Sequence, residues 1–261
     1  MNTLFRFKSF ASYLLKRKSK HSIHSPFVFT FITDILRDKT NYGAYAVMDQ
    51  IRKRTFAHSN IIETIDFGAL SQSNQADVIQ VRTGSLARKR SNRKWVYDFL
   101  YRLTLYFKPA AMLELGTSVG FSSISLALAN TEGKLYTLEG CPSVAKVAKV
   151  NFDQLKLENI HIITGHFNET LPAALSQFEK LDFVFFDGNH RKEPTLNYFM
   201  QCLGKCHEHS VFIFDDIHWS PGMEEAWNQI CTHPKVSLSV DLFQLGLVFF
   251  RKGISKQHFT I

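Results

Sequence analysis

The sequence predicts an α/β protein built on a doubly wound, mostly parallel sheet, and two observations carry this prediction. From about residue 95, strand-like apolar runs alternate with amphipathic helices, the pattern of a parallel sheet covered by helices on both faces. The first strand of this region also runs through a tight turn containing Gly116 and Gly120 directly into a helix. We therefore predict a seven-stranded sheet whose last two strands form a C-terminal antiparallel hairpin.

The individual elements follow from periodicity and from turn residues. Apolar residues at helical spacing predict helices that are interleaved with the strands, and one of these helices is opened by Pro142, a residue that suits a first turn. The predicted strands are residues 110–115, 134–139, 160–164, 181–187, 210–215, 235–242 and 246–251. Each of the first five ends at polar residues. In a doubly wound sheet a ligand lies beyond these strand ends, so the polar residues there are the site candidates.

The first 94 residues have a different pattern. Val28, Phe31, Ile32 and Ile35 form one helix face after Pro26, and we interpret residues 1–94 as a mainly helical N-terminal extension. Residues 95–261 then form the second domain. A single glycine after the predicted strand 61–65 makes residues 66–71 a poor alternative to the glycine turn at 116–120.

Composition narrows the class of protein. The chain has 261 residues, of which 45% are hydrophobic, enough for a sizeable core. Its four cysteines are few for this length and do not indicate a disulfide framework. No apolar run approaches the roughly 20 residues that span a bilayer, and the N-terminus lacks the pattern of a secretion signal. We expect a cytoplasmic protein.

The formal net charge of +8 is concentrated in a few basic runs, including Lys16 to Lys20 and Arg88 to Arg90. A solvated surface explains such runs better than a nucleic-acid or lipid site does. Residues 1–20 also interleave aromatic and basic side chains. This pattern permits peripheral membrane contact, but packing onto the domain or onto a second subunit of a homodimer explains it more simply.

The glycine turn departs from the dinucleotide pattern. Gly116 and Gly120 are four residues apart, and hydroxyl side chains, Thr117 and Ser118, lie between them. A carboxylate, Glu139, ends the next predicted strand, where folds of this type hold ribose hydroxyls. The pair of signals predicts a nucleoside-containing ligand without a pyrophosphate.

These residues resemble a family. The run Glu114-Leu115-Gly116-Thr117-Ser118-Val119-Gly120-Phe121-Ser122, then Glu139, then Phe185-Phe186-Asp187-Gly188, is similar to the class I S-adenosylmethionine-dependent methyltransferases, which have a Rossmann-like fold. The resemblance implies that S-adenosylmethionine is the cofactor. The residues that it would assign to cofactor binding are Glu114, Gly116, Thr117, Ser118, Gly120, Ser122, Glu139, Phe167, Asn168 and Asp187. Of these, Glu139 would hold the ribose, Phe167 and Asn168 would flank the adenine, and Asp187 would lie near the transferring methyl.

Within that family the chain looks like the catechol and caffeoyl-CoA O-methyltransferase branch. The resemblance implies that Asp187, Asp215 and Asp216 would hold a divalent metal such as Mg²⁺, although Asp216 stands where the branch usually has Asn. His190 stands where the branch usually has a catalytic Lys. A histidine suits proton removal at neutral pH, so we expect His190 and Asp187 at the chemistry.

The function that follows is O-methylation of a hydroxyl on a small-molecule acceptor, with or without metal assistance. Two alternatives stay open at this point. A methyltransferase acting on RNA or another polyanion fits the charge, but the chain lacks the Pro-Pro turn after strand four that marks enzymes acting on base amines. The other alternative is a non-enzymatic binding module at a membrane surface that keeps the fold.

Overall fold

The computed structural model describes residues 3–18, 24–65 and 78–261. These residues fall into two compact units, one formed by Thr30–Ala174 and the other by Met1–Phe29 with Leu175–Ile261. The segment 66–71, discussed above as a second glycine turn, lies outside the described residues, and so do residues 1, 2, 19 and 20 of the basic N-terminus. No helix within the described ranges is long and apolar enough to cross a membrane.

In the unit Thr30–Ala174, helices precede and surround three parallel strands. The helices are a π-helical turn Phe31–Leu36, which continues α2 (Pro26–Thr30), and α3 (Gly43–Ala57), α4 (Thr83–Arg90), α5 (Lys94–Phe107), α6 (Phe121–Ala129), α7 (Pro142–Gln154) and α8 (Phe167–Leu175). The strands β1 (Ile61–Ile65) and β2 (Val78–Arg82) form an antiparallel hairpin. The strands β3 (Ala111–Leu115), β4 (Lys134–Glu139) and β5 (Ile160–Thr164) pair in parallel in that order.

The core of this unit explains why α6 begins where it does. Val119 and Phe121, on either side of Gly120, are buried with Tyr97 of α5 and with Val144 and Phe152 of α7. These apolar anchors on both sides of the glycine turn hold the start of α6 against the neighbouring helices. The loop that ends β3 is therefore built on packed elements, as a ligand-binding turn requires.

The other unit contains the remaining elements. They are α1 (Thr3–Lys16), β6 (Leu181–Phe186), α9 (Lys192–Cys202), β7 (Cys206–Asp215), α10 (Pro221–Thr232), β8 (Leu238–Asp241), β9 (Leu245–Phe249) and β10 (Gln257–Thr260). β6 pairs in parallel with β7, β9 pairs antiparallel with both β7 and β8, and β10 pairs in parallel with β8. The centres of β6 and β7 are fully buried aromatic and aliphatic runs.

The predicted fold class is confirmed: the chain is α/β and Rossmann-like, with mostly parallel strands, a C-terminal antiparallel hairpin formed by β8 and β9, and N-terminal helices. All seven predicted strands are present. Two described strands, β2 and β10, were not predicted. Besides the β1–β2 hairpin, the unit Thr30–Ala174 contains three strands, β3 to β5, and the other unit contains five, β6 to β10. The domain boundary at residue 94 stays a prediction.

Candidate functional site

Main-chain hydrogen bonds fix the position of the turn from β3 to α6. The N–H groups of Gly116 and Thr117 both donate to the carbonyl oxygen of Leu138, at 3.0 Å each, which fixes the turn against the end of β4. Three residues of the turn have positive φ, namely Gly116 at 106°, Ser118 at 48° and Gly120 at 89°. Gly116 and Gly120 are the two glycines identified in the sequence. Glycine adopts positive φ angles without strain because it has no Cβ.

Glu139 closes one side of this turn. Its Oε2 accepts a hydrogen bond of 2.8 Å from the N–H of Ser118, and its Oε1 accepts one of 2.9 Å from the N–H of Cys141. Burial raises the pKa of this carboxyl, and the two N–H groups oppose that rise. Each carboxylate oxygen has a second lone pair. Glu139 can therefore accept further hydrogen bonds from the hydroxyls of a ligand.

Glu114 lies beneath the turn, completely buried. Its Oε2 accepts hydrogen bonds from the hydroxyls of Ser123 and, at 2.6 Å, of Thr137. The Thr137 hydroxyl is also 2.6 Å from the hydroxyl of Thr117, which is itself only 1% exposed. Burial raises the pKa of Glu114 to about 7, against the lowering effect of the hydroxyls of Ser122, Ser123 and Thr137. Glu114 thus organises the turn from below.

The turn contains a buried hydroxyl that has no hydrogen-bond partner within the described residues. The hydroxyl oxygen of Ser118 is buried, and no group in the described part of the chain hydrogen-bonds to it. Buried polar atoms in native proteins almost always have a partner, so such an atom needs an explanation. The amino acid part of S-adenosylmethionine has both an amino group and a carboxylate that could satisfy it. The turn therefore fits the implied cofactor.

The turn is also supported from α7. Asn151, 3% exposed, donates a hydrogen bond of 2.9 Å from Nδ2 to the carbonyl of Val119 and accepts one of 3.2 Å from the hydroxyl of Thr55 on α3. This side chain thereby connects two helices to the glycine turn. Four residues that support the turn were not predicted: Thr55, Ser123, Thr137 and Asn151. For Asn151 a signal existed, because it is a polar residue within the apolar stripe of α7 that includes Val144 and Ala148.

The remaining predicted cofactor residues of this unit lie at the start of α8, after β5. Phe167, the first residue of that helix, is half-buried, whereas Asn168 is exposed. The main-chain N–H of Asn168 is 3.3 Å from Nδ1 of His166. Gly165, just before them, donates to the carbonyl of Glu139 at 2.9 Å, which links this turn to the end of β4. The assignment of Phe167 and Asn168 to adenine stays a prediction.

In the other unit, the residues predicted to act in catalysis and metal binding lie at or just after the ends of β6 and β7. Asp187 follows β6, and its Oδ1 lies 3.6 Å from Nε2 of His190. Both side chains are about one-fifth exposed, at 18% and 23%. Burial lowers the pKa of His190, and the charge of Asp215 opposes this effect. The lowered pKa favours the neutral imidazole, the form that accepts a proton.

Asp215 and Asp216 end β7 side by side. Asp215 is 2% exposed, and Gln244 lies 3.4 Å from its Oδ1 through Nε2. Burial and then the neighbouring charge of Asp215 raise the pKa of Asp216 to about 7, while the charge of Arg6 opposes the rise. Among the residues that the structure describes, no group of three or more His, Cys, Asp or Glu side chains is arranged to hold a metal ion. The metal set Asp187, Asp215 and Asp216 stays a prediction.

The sequence is similar to those of known methyltransferases over the strands and helices that form this site. Residues 113–217 match the family described as "Methyltransferase domain", a range that begins in β3 and ends just after β7. The catechol O-methyltransferase of Mycobacterium tuberculosis is 31% identical over 121 residues, which cover 46% of this chain and 53% of that protein. That of Niastella koreensis is 32% identical over 122 residues, covering 46% and 54%. The chain thus spans about half the length of these two relatives.

Solved structures show the same fold. The O-methyltransferase from Bacillus cereus in complex with SAH has a TM-score of 0.55 at 20% identity, covering 85% of this chain and 97% of that one. The O-methyltransferase TomG from Streptomyces achromogenes in complex with SAM has a TM-score of 0.56 at 17% identity, covering 86% and 95%. At such identities the likeness concerns the fold alone.

Residues 113–217 therefore match a methyltransferase domain, and the fold is like that of solved O-methyltransferases. Over 121 and 122 residues, the chain is similar in sequence to two catechol O-methyltransferases.

Proposed function

We propose that this chain transfers the methyl group of S-adenosylmethionine to a hydroxyl oxygen of a small-molecule acceptor. The observation that carries the proposal is the pairing of Ser118 and Glu139 across the glycine turn, at 2.8 Å between N and Oε2. A carboxylate with spare lone pairs thus lies next to a turn whose buried hydroxyl has no partner among the residues that the structure describes. Sequence relationship to catechol O-methyltransferases supports the choice of oxygen as the methylated atom.

The roles in cofactor binding follow from the geometry of the turn. Glu139 accepts hydrogen bonds from ribose hydroxyls while its own position is fixed by two main-chain N–H groups. Ser118 meets the amino acid part of the cofactor. Gly116 and Gly120 keep the main chain close to the ligand because they carry no Cβ. Thr117, Ser122 and Glu114 act beneath the turn, since their side chains are buried there.

The chemistry needs little from the protein beyond orientation and removal of one proton. When bound, S-adenosylmethionine supplies a methyl group on a positively charged sulfur, which is a good leaving group. The protein aligns the acceptor oxygen with that methyl, and such alignment provides much of the rate. His190 is the base in this proposal: its Nε2 takes the hydroxyl proton as the oxygen attacks, and its lowered pKa keeps the ring neutral beforehand.

A divalent metal at Asp187, Asp215 and Asp216 is retained as a separate proposal. Carboxylate oxygens suit Mg²⁺, which when bound would lower the pKa of the acceptor hydroxyl. What supports this proposal is that two carboxyl groups, Asp215 and Asp216, lie next to each other at the end of β7; burial and then the charge of Asp215 raise the pKa of Asp216, against the opposing charge of Arg6. No step above depends on the metal. The acceptor class to be tried first is a catechol, because both sequence relatives carry that name.

Calorimetric titration with S-adenosylhomocysteine tests the cofactor proposal. We expect the wild type to bind, and Glu139→Ala to weaken binding by about 10- to 100-fold because hydrogen bonds to a charged group are lost. Glu132→Ala, which removes an exposed carboxylate before β4, is the matched control and should bind like the wild type. A thermal melt shows whether each variant is folded. Absence of binding by the folded wild type would contradict the proposal.

A further inference from the structure

The N-terminal helix α1 carries two different faces. On one face, Ser9 is buried and donates from its hydroxyl to Oε2 of Glu224 at 2.8 Å, and the Tyr13 hydroxyl donates to the carbonyl of Ile261. The ring of Tyr13 also lies 5.4 Å from that of Phe243. This face is docked onto the unit that contains β6 to β10.

The opposite face of α1, which we call the outer face, consists of Leu4, Phe7, Ala11, Leu14 and Leu15. These residues are spaced at i, i+3, i+7, i+10 and i+11 and therefore lie along one side of the helix. Exposed fractions are 63% for Leu4, 70% for Phe7, 49% for Leu14 and 89% for Leu15. In the described residues, four of the fourteen exposed large apolar side chains belong to this one face, so the exposure is concentrated there.

Charge distinguishes this face from an ordinary apolar patch. Helix α1 contains no acidic residue, while Lys8, Lys16, Arg17 and Lys18 are all exposed along it or just after its end. An exposed apolar stripe on a helix whose charged residues are all basic is the pattern of a helix that lies in the interface of an anionic bilayer.

We propose that the outer face of α1 binds the surface of a bilayer containing anionic lipids, with the apolar side chains inserted among the headgroups. The charges disfavour a second copy of this chain as the occupant, because a twofold contact would bring the two sets of basic residues together. Nucleic acid would use the basic residues but would leave Phe7 and Leu15 without a role.

The docked face of α1 contacts the loop that follows β7. The Arg6 guanidinium lies over the ring of Trp219, 4.7 Å from Cζ to the ring centroid, and the main-chain N–H of Trp219 donates to the carbonyl of Asp216 at 2.9 Å. Because that loop lies against the docked face, a bilayer bound to the outer face would be separated from it by the thickness of the helix, roughly 10 Å.

Vesicle co-sedimentation of the full chain tests this proposal. Vesicles of phosphatidylcholine and phosphatidylserine in equal amounts should bind the protein, and vesicles of phosphatidylcholine alone should bind it at least about tenfold more weakly, since each basic side chain near an anionic surface contributes about fivefold. The variant Phe7→Glu/Leu15→Glu should lose at least about tenfold in affinity for the mixed vesicles, because apolar insertion is lost.

The matched control is Val150→Glu/Met200→Glu, which makes the same charge change at exposed apolar residues of α7 and α9. It should bind the mixed vesicles nearly as the wild type does. Equal loss in both variants would show that binding follows net charge and not the outer face. Absence of wild-type binding would overturn the proposal. So would a wild-type dimer that Phe7→Glu/Leu15→Glu dissociates in sedimentation velocity, since the face would then be a subunit interface.

Discussion

The ring of Phe152 lies against the Cα of Gly120. A Cβ built on Gly120 would be 2.8 Å from Cζ of that ring and closer still to Cε1, and the φ angle of Gly120 is 89°. Any side chain at this position meets both a steric conflict with α7 and a main-chain conformation that L-residues avoid. The glycine is required by the packing of the turn as well as by its curvature.

We therefore predict that Gly120→Ala destabilises the protein by about 2 to 4 kcal/mol, the sum of left-handed strain and overpacking. Because the turn would shift away from Phe152, affinity for S-adenosylhomocysteine should fall in the same variant. Urea denaturation measures the first effect and calorimetry the second. Gly43→Ala is the control: it lies at the start of α3 with no atom within 4 Å of an added Cβ. It should change stability by no more than about 1 kcal/mol.

Replacement of the proposed base separates chemistry from binding. We predict that His190→Gln lowers turnover with catechol by about 10²- to 10⁴-fold, the usual contribution of a general base. Affinity for S-adenosylhomocysteine should be unchanged, because the turn proposed to bind the cofactor belongs to β3, α6 and β4. Turnover is followed as formation of S-adenosylhomocysteine. His209→Gln, at an exposed position in the first half of β7, is the matched control and should remain fully active.

Two results would contradict this assignment. If His190→Gln keeps wild-type turnover while EDTA abolishes it and Mg²⁺ restores it, the metal and not the imidazole activates the acceptor. If His190→Gln loses cofactor affinity in proportion to turnover, His190 has a structural role. If the wild type does not methylate catechol, the two proteins are compared with the first acceptor that the wild type is found to methylate.

The sequence predicted the glycine turn between β3 and α6 because the signals for such a turn are local. Gly116 and Gly120 are required by main-chain angles that a single residue type satisfies, and Glu139 follows at a spacing set by one helix and one strand. The supporting residues were missed because their roles depend on contacts distant along the chain. Asn151 forms hydrogen bonds with residues that are 32 and 96 positions away in the sequence, and Thr137 acts through a hydrogen bond to the carboxyl of Glu114 in the adjacent strand.

Strand β10 was not predicted because it also depends on a contact between distant parts of the chain. β10 has only four residues, Gln257–Thr260, and it exists because its main chain pairs with β8. Such a short segment has too few side chains to show a period of two. β8 also has only four residues, but it lies within the predicted strand-like run 235–242, in which apolar and polar residues alternate. For α1, the sequence indicated an amphipathic helix, but only the structure shows which face is docked.

Glu114 predicts a specific dependence of stability on pH. Its pKa is raised from 4.5 to about 7 by burial, so the folded protein holds a proton that the unfolded chain releases between these values. Below pH 4.5 the residue is neutral in both states and imposes no penalty. As the pH rises from 4.5 to about 7, folding stability falls, by a total of about 3 kcal/mol, and above that range the penalty is constant.

We predict that Glu114→Gln removes this dependence. The difference in unfolding free energy between the wild type and Glu114→Gln should shift in favour of the variant by about 3 kcal/mol between pH 4.5 and 7.5, whereas other titrating groups cancel in the difference. Urea denaturation across this range measures it. Glu158→Gln, at an exposed position before β5, should give a flat difference. A flat difference for Glu114→Gln as well would mean that Ser123 and Thr137 stabilise the buried carboxylate enough to cancel the effect of burial.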